Sequence, residues 1–198
     1  MGIRQSSLPP ALKLELRVAR KLCGFFMSHA CLPVTDKENF ILFMESIKND
    51  MSLPIYMEFQ DTAINIFQNG TLYMMQELVV FLILTMEAPW NDRLILLYEC
   101  FRSQITDAVS HDDISVICQV SAISLLRAWK VQKLLPLETI CEYAEAICDQ
   151  VYVKLDLDLE ASINRDPFIT FFVARFPEDK IIDNSELLLK FLENLYNV

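Results

Sequence analysis

The stretch Val151-Tyr-Val-Lys-Leu-Asp156-Leu-Asp158-Leu-Glu160-Ala-Ser162-Ile163-Asn164 governs how the rest of the chain is read. Ile140, Ala144, Ile147 and Val151 lead into it at helical spacing. A helix therefore runs into Asp-x-Asp-x-Glu, then a small residue, then a lone isoleucine. The same periodicity recurs on either side. Leu12, Leu14, Val18, Leu22 and Phe25 form one stripe, and Phe40, Phe43, Met44 and Ile47 another. Leu94, Leu97, Tyr98 and Phe101 follow, and Leu188, Phe191, Leu192 and Leu195 come last. Pro33, Pro54, Pro89, Pro136, Pro167 and Pro177 separate the stripes, and Asp183-Asn184-Ser185-Glu186 reads as the cap of a final helix over Ser185 to Tyr196. No long strand pattern occurs, so the expected class is all-α.

Composition narrows the function. Among 198 residues only Gly2, Gly24 and Gly70 are glycine, against an average usage of about 7%. Loops that cradle phosphate on backbone N–H groups need several glycines close together, which argues against nucleotide-binding enzymes. Hydrophobic residues make up 53% of the chain, enough for a core. A net charge of −10 argues against nucleic acid as partner. Residues 1–50 differ, with seven Lys/Arg against five Asp/Glu. The six cysteines form no CxxC pair and no secretory signal is evident, so free buried thiols in the cytoplasm are expected. The apolar run Leu78 to Met86 is too short for a bilayer, which takes about 20 helical residues, and reads as a helix buried all round.

The stretch around Asp156 resembles an EF-hand calcium loop. In that family, loop positions 1, 3 and 5 supply oxygens and position 6 is a turning glycine. Position 8 is an apolar residue, and position 12 is a bidentate glutamate. Asp156, Asp158 and Glu160 match positions 1, 3 and 5, Ile163 matches position 8, and Ser162 and Asn164 complete the candidate oxygen set. Ala161 stands at position 6 and Pro167 at position 12, so a calcium ion there would lack ligands.

Three weaker matches extend the resemblance over residues 12–176. Gly70 and Leu72 fit positions 6 and 8 of a second loop, with Asn65 and Asn69 at positions 1 and 5 and with Phe67 and Gln76 in place of ligands. Ile114 marks a lengthened third loop that begins at Asp107, with Val109 and Cys118 replacing ligands. Val34 marks a first loop in which Glu38 stands at position 12 and Met27, His29 and Cys31 replace the earlier ligands. In the family, neighbouring loops pair through position 8, which implies contacts Val34–Leu72 and Ile114–Ile163. The layout is similar to neuronal calcium sensors, calcineurin B-like proteins and calaxin-type proteins. It implies an N-terminal tail (1–11), one lobe over 12–88, a second over 89–176, and a C-terminal helix over 177–198.

Met1-Gly2-Ile-Arg-Gln-Ser6 matches the pattern for myristoylation at Gly2, and Arg4, Lys13, Arg17, Arg20 and Lys21 would aid contact with an anionic membrane surface. Phe40, Phe43, Met44, Met74, Met75, Leu78, Phe81 and Leu82 supply material for a groove that accepts an amphipathic helix of a protein partner. His29 and His111 have no nucleophile motif beside them, and no catalytic constellation emerges. The expectation is a non-catalytic, cytoplasmic adaptor on a largely calcium-independent EF-hand-like scaffold. It has no cofactor, calcium at residues 156–166 being the sole candidate. Two alternatives stay open: a calcium-regulated sensor in a ciliary or membrane-associated setting, and an unrelated α-helical scaffold subunit of an obligate complex.

Overall fold

The computed structural model describes residues 14–28, 32–128 and 136–175. Among them, eight α-helices and one short ribbon follow in order. They are α1 (Leu16–Ser28), α2 (Lys37–Glu45), α3 (Leu53–Phe67), β1 (Gln68–Asn69), β2 (Leu72–Tyr73), α4 (Met75–Thr85), α5 (Trp90–Phe101), α6 (His111–Ala128), α7 (Leu137–Leu155) and α8 (Arg165–Arg175). The all-α expectation holds at this level. The N-terminal tail with Gly2 and the C-terminal segment 177–198 lie outside the described residues.

Helices begin where the sequence satisfies or removes the first N–H groups. Asp36 accepts the Asn39 amide at 2.9 Å and opens α2. Ser110 and Asp113 open α6 reciprocally: the Ser110 amide donates to Asp113 at 2.8 Å and the Asp113 amide to Ser110 Oγ at 3.2 Å. Pro54 lies in the first turn of α3, and Pro89 and Pro136 stand just before α5 and α7. A missing N–H is harmless at those places.

Helix α4 is the centre of the molecule. Nine of its 11 residues are buried, because α1, α3, α5 and α6 all pack on it. Each large apolar side chain so buried contributes about 1.5–3 kcal/mol. The polar demands of this helix are met internally. Thr85 Oγ1 donates to the Phe81 carbonyl at 2.8 Å. The buried Arg93 guanidinium donates to the carbonyls of Leu84 and Ala88 at 2.7 and 2.9 Å, where the helix end leaves acceptors unpaired. Glu77, in the first turn of α4, receives Arg127 from the last turn of α6 at 2.5 and 3.2 Å. Both charges then complement their helix dipoles. Further packing joins α6 to α7 and α5 to α8, so a single contiguous core runs through all eight helices.

The loops between helices are joined in pairs. Thr35, between α1 and α2, and Tyr73, between α3 and α4, exchange two backbone hydrogen bonds of 2.9 Å each. Val109, between α5 and α6, and Ile163, between α7 and α8, do the same at 3.0 and 2.8 Å. The expected pairs, Val34 with Leu72 and Ile114 with Ile163, are thus out of register except at Ile163. The first pair is shifted by one residue because side chains alternate along extended chain and only one face can be buried. Tyr73 stacks on Phe40 with ring centroids 4.1 Å apart. That places Thr35 and Tyr73 inside, 8% and 5% exposed, and leaves Val34 and Leu72 37% and 46% exposed. The hairpin turn enforces this register: Gly70 adopts φ +62° between β1 and β2, and Gln68 pairs with Tyr73. Ile114 is displaced because the Ser110–Asp113 cap has already started α6, so its amide donates within the helix, to the Ser110 carbonyl at 3.1 Å.

This register yields a measurable contrast. Replacing Tyr73 by Ala should cost about 3 kcal/mol in urea denaturation, as for other buried aromatic side chains. Replacing Leu72 by Ala should cost within about 0.5 kcal/mol, as for other exposed positions. Equal losses would contradict the pairing.

Candidate functional site

The Asp156 loop begins where α7 ends. Asp156 adopts φ 54°, and the Leu157 amide donates back to the Tyr152 carbonyl at 3.0 Å, closing the helix. An aspartate tolerates this left-handed conformation better than most residues. Ala161, expected to sit at the strained turning position, is not among the positive-φ residues, and its amide donates to the Asp158 carbonyl at 2.9 Å. The chain reversal therefore falls five residues earlier than the resemblance implies.

Asp156, Asp158 and Glu160 all face solvent, as do Ser162 and Asn164. Among the described residues, no three His, Cys, Asp or Glu side chains gather as a metal ion would need. Ile163 alone of this stretch is buried, held by its bridge to Val109. Tyr152, near the end of α7, donates its hydroxyl to the Ala161 carbonyl at 2.8 Å.

The facing loop, between α5 and α6, is built alike and was less legible. Tyr98 donates its hydroxyl to the Asp107 carbonyl at 2.7 Å and lies 3.4 Å from the Ile163 carbonyl. Asp107 adopts φ 54°. Arg102 donates Nε to Glu99 at 2.6 Å and Nη1 to the Asp107 carboxylate. Three side chains, Tyr98, Arg102 and Tyr152, thus hold these loops, and none was singled out from sequence for that role. The Ser-x-x-Asp cap at 110–113 was a readable signal for where this loop ends.

The candidate partner residues are placed inside. Phe40, Phe43, Met44, Met75, Leu78, Phe81 and Leu82 belong to the core, and Met74 is partly buried against it. They supply packing in this conformation instead of an open groove, because α4 carries four of them and is enclosed on every side. An apolar groove lies elsewhere, between the end of α7 and α8. It measures about 720 Å³ and is lined by Val153, Leu155, Phe171 and Ala174 together with Gln150, Lys154, Thr170 and Arg175. Val153 is 81% exposed there.

No disulfide occurs among the described residues, and Cys23, Cys100, Cys118 and Cys148 are buried. No described helix is long and apolar enough to cross a membrane. In comparisons with known proteins, no family model matches the chain and no curated protein matches it significantly.

The clamping phenols and buried thiols give the protein a base-sensitive stability. Burial raises Tyr98, with the Asp107 charge adding to it, and pushes Tyr152 up to about 12. Burial likewise raises Cys118, and pushes Cys148 up to about 12. The unfolded chain loses these protons first, at about pH 8.5 for thiols and about pH 10 for phenols. It then binds fewer protons than the folded chain, so stability falls as pH rises. The urea midpoint should be flat near neutrality and decline from about pH 9 to about pH 12. Tyr152→Phe should lessen the decline above about pH 10. A midpoint that holds through this range would contradict the assignment.

Proposed function

We propose that the chain is a non-catalytic adaptor on a largely calcium-independent EF-hand-like scaffold, which binds a helical segment of a larger protein. The observation that carries this reading is the pairwise joining of four interhelical loops, each pair through two reciprocal backbone hydrogen bonds. Pairing between consecutive helix–loop–helix units is what the resemblance requires, and an unrelated bundle has no physical need for it. A further feature supports the reading. Both loops of the second pair accept a tyrosine hydroxyl from nine residues upstream, as related repeats would.

Independence from calcium is supported by the solvent-facing acids of residues 156–160 and by Pro167, which offers no carboxylate where the family has its bidentate ligand. Helix binding is supported by the groove between α7 and α8, whose largely apolar lining, with Lys154 and Arg175 in it, fits an amphipathic helix that carries acidic residues. Acylation at Gly2 would bring such an adaptor to a membrane surface, whether cytoplasmic or ciliary, through one chain and the basic residues that follow.

Calorimetry should show no micromolar calcium binding. Affinity purification with mass spectrometry should recover the same partner in calcium and in chelator. Val153→Asp, at an exposed position in the groove, should reduce recovery about tenfold while leaving the urea midpoint unchanged. Micromolar calcium affinity or a calcium-dependent partner would favour the sensor reading instead, and unaltered recovery by Val153→Asp would exclude the groove.

A further inference from the structure

The α5–α6 and α7–α8 loops share one frame. Tyr98 and Tyr152 each donate to a carbonyl nine residues on, Asp107 and Ala161. The bridging residues Val109 and Ile163 come two positions after those carbonyls. The Ser110 and Asn164 carbonyls, one position further, accept the Ile114 and Phe168 amides at 3.1 and 3.2 Å. In this frame Arg102 corresponds to Asp156, each standing four residues after its tyrosine. Asp156 faces solvent, whereas the Arg102 guanidinium joins Glu99 at the end of α5 to Asp107 in the loop.

We propose that the α5–α6 loop carries its own cation: Arg102, together with the Tyr98 phenol, locks this loop pair in the role that a bound metal ion plays in a calcium loop. The inference rests on the EF-hand-like reading of the loops. A guanidinium suits the task because its rigid fork reaches two carboxylates at once and stays charged at any physiological pH. Glu99 and Asp107 hold the Arg102 proton more firmly than usual, Glu99 foremost. Of the two carboxylates in the first turn of α6, Asp113 is engaged with the Ser110 amide and hydroxyl at 2.8 and 2.7 Å, and Asp112 lies in solvent beside His111. A divalent ion would have to displace Arg102 to take both Glu99 and Asp107 as ligands. Tyr98 extends the lock to the partner loop, since its hydroxyl reaches towards the carbonyls of both Asp107 and Ile163. Arg102 and Tyr98 are thus positioning residues, acting on the loops through Asp107.

Hydrogen exchange at the Val109 and Ile163 amides, the donors of the bridge, reads the lock directly. In the wild-type chain, exchange should be the same in excess calcium and in chelator. Tyr98→Phe should speed it by about tenfold, the loss expected for one buried hydrogen bond. Arg102→Gln should speed it in both conditions without a calcium response. Arg102→Asp should exchange quickly in chelator and slowly in calcium, because the cation must then come from solution. A folded Arg102→Asp variant that ignores calcium, or Arg102→Gln with wild-type exchange, would overturn the lock. Calorimetric calcium binding by the wild-type chain would instead overturn the calcium-independent reading, so the two failures are distinguishable.

Discussion

Four backbone hydrogen bonds, two between Thr35 and Tyr73 and two between Val109 and Ile163, fix where the helices of this protein can lie. Backbone N–H and C=O groups carried into the interior must find partners, since each one left unpaired is costly. All four bridging residues are buried. Each loop therefore needs the other, and each helix pair is held at its loop end by the pair beside it. The rest of the packing follows from that constraint. With the loops joined, α4 is enclosed on all sides and the apolar surface of α1, α3, α5 and α6 has a common place to be buried.

In the second loop pair, side chains of the helices tie the loops down. A hard cation in a calcium loop gathers six to eight oxygens from several positions of the chain. Here, the hydroxyls of two helix tyrosines and the guanidinium at the end of α5 reach loop oxygens. Tyr98 and Tyr152 bind main-chain carbonyls, and Arg102 binds side-chain carboxylates. The acids from Asp156 to Glu160 take no part and stay hydrated. Charge that has water as a partner carries no desolvation cost, so these residues are compatible with the fold whether or not an ion ever visits them.

Particular residues show what was legible. The run Leu78 to Met86 reads as a helix buried on every side, and each of its residues is buried in the structure. The Asp-x-Asp-x-Glu loop after α7 is where the sequence places it, and Ile163 is its paired residue. The first loop pair was misread by one residue because Val34 and Leu72 are the more apolar neighbours of Thr35 and Tyr73. Hydropathy alone cannot register the 4.1 Å stacking of Tyr73 on Phe40. The two-residue Gly70-Thr71 turn, with Gly70 at φ +62°, sets Asn69 opposite Leu72 and Gln68 opposite Tyr73. Phe40, Phe43 and Met44 were correctly read as a helical stripe. Whether such a stripe faces a core or a partner depends on what lies opposite, which a stripe does not encode.

The sequence by itself determined the all-α class and the stripes that form α1, α2, α4, α5 and α7, with prolines at breaks between them. Those features arise from contacts within a few residues: an apolar period near 3.6, a capping side chain, a proline without an N–H. The tertiary structure alone decided which loop residues pair, which side chains hold the loops and which apolar residues remain outside. Tyr98 reaches towards Ile163 across 65 residues of chain, and Arg127 reaches Glu77 across 50. Such contacts depend on where distant segments come to rest, and that is set by the competition of every apolar face for the same interior.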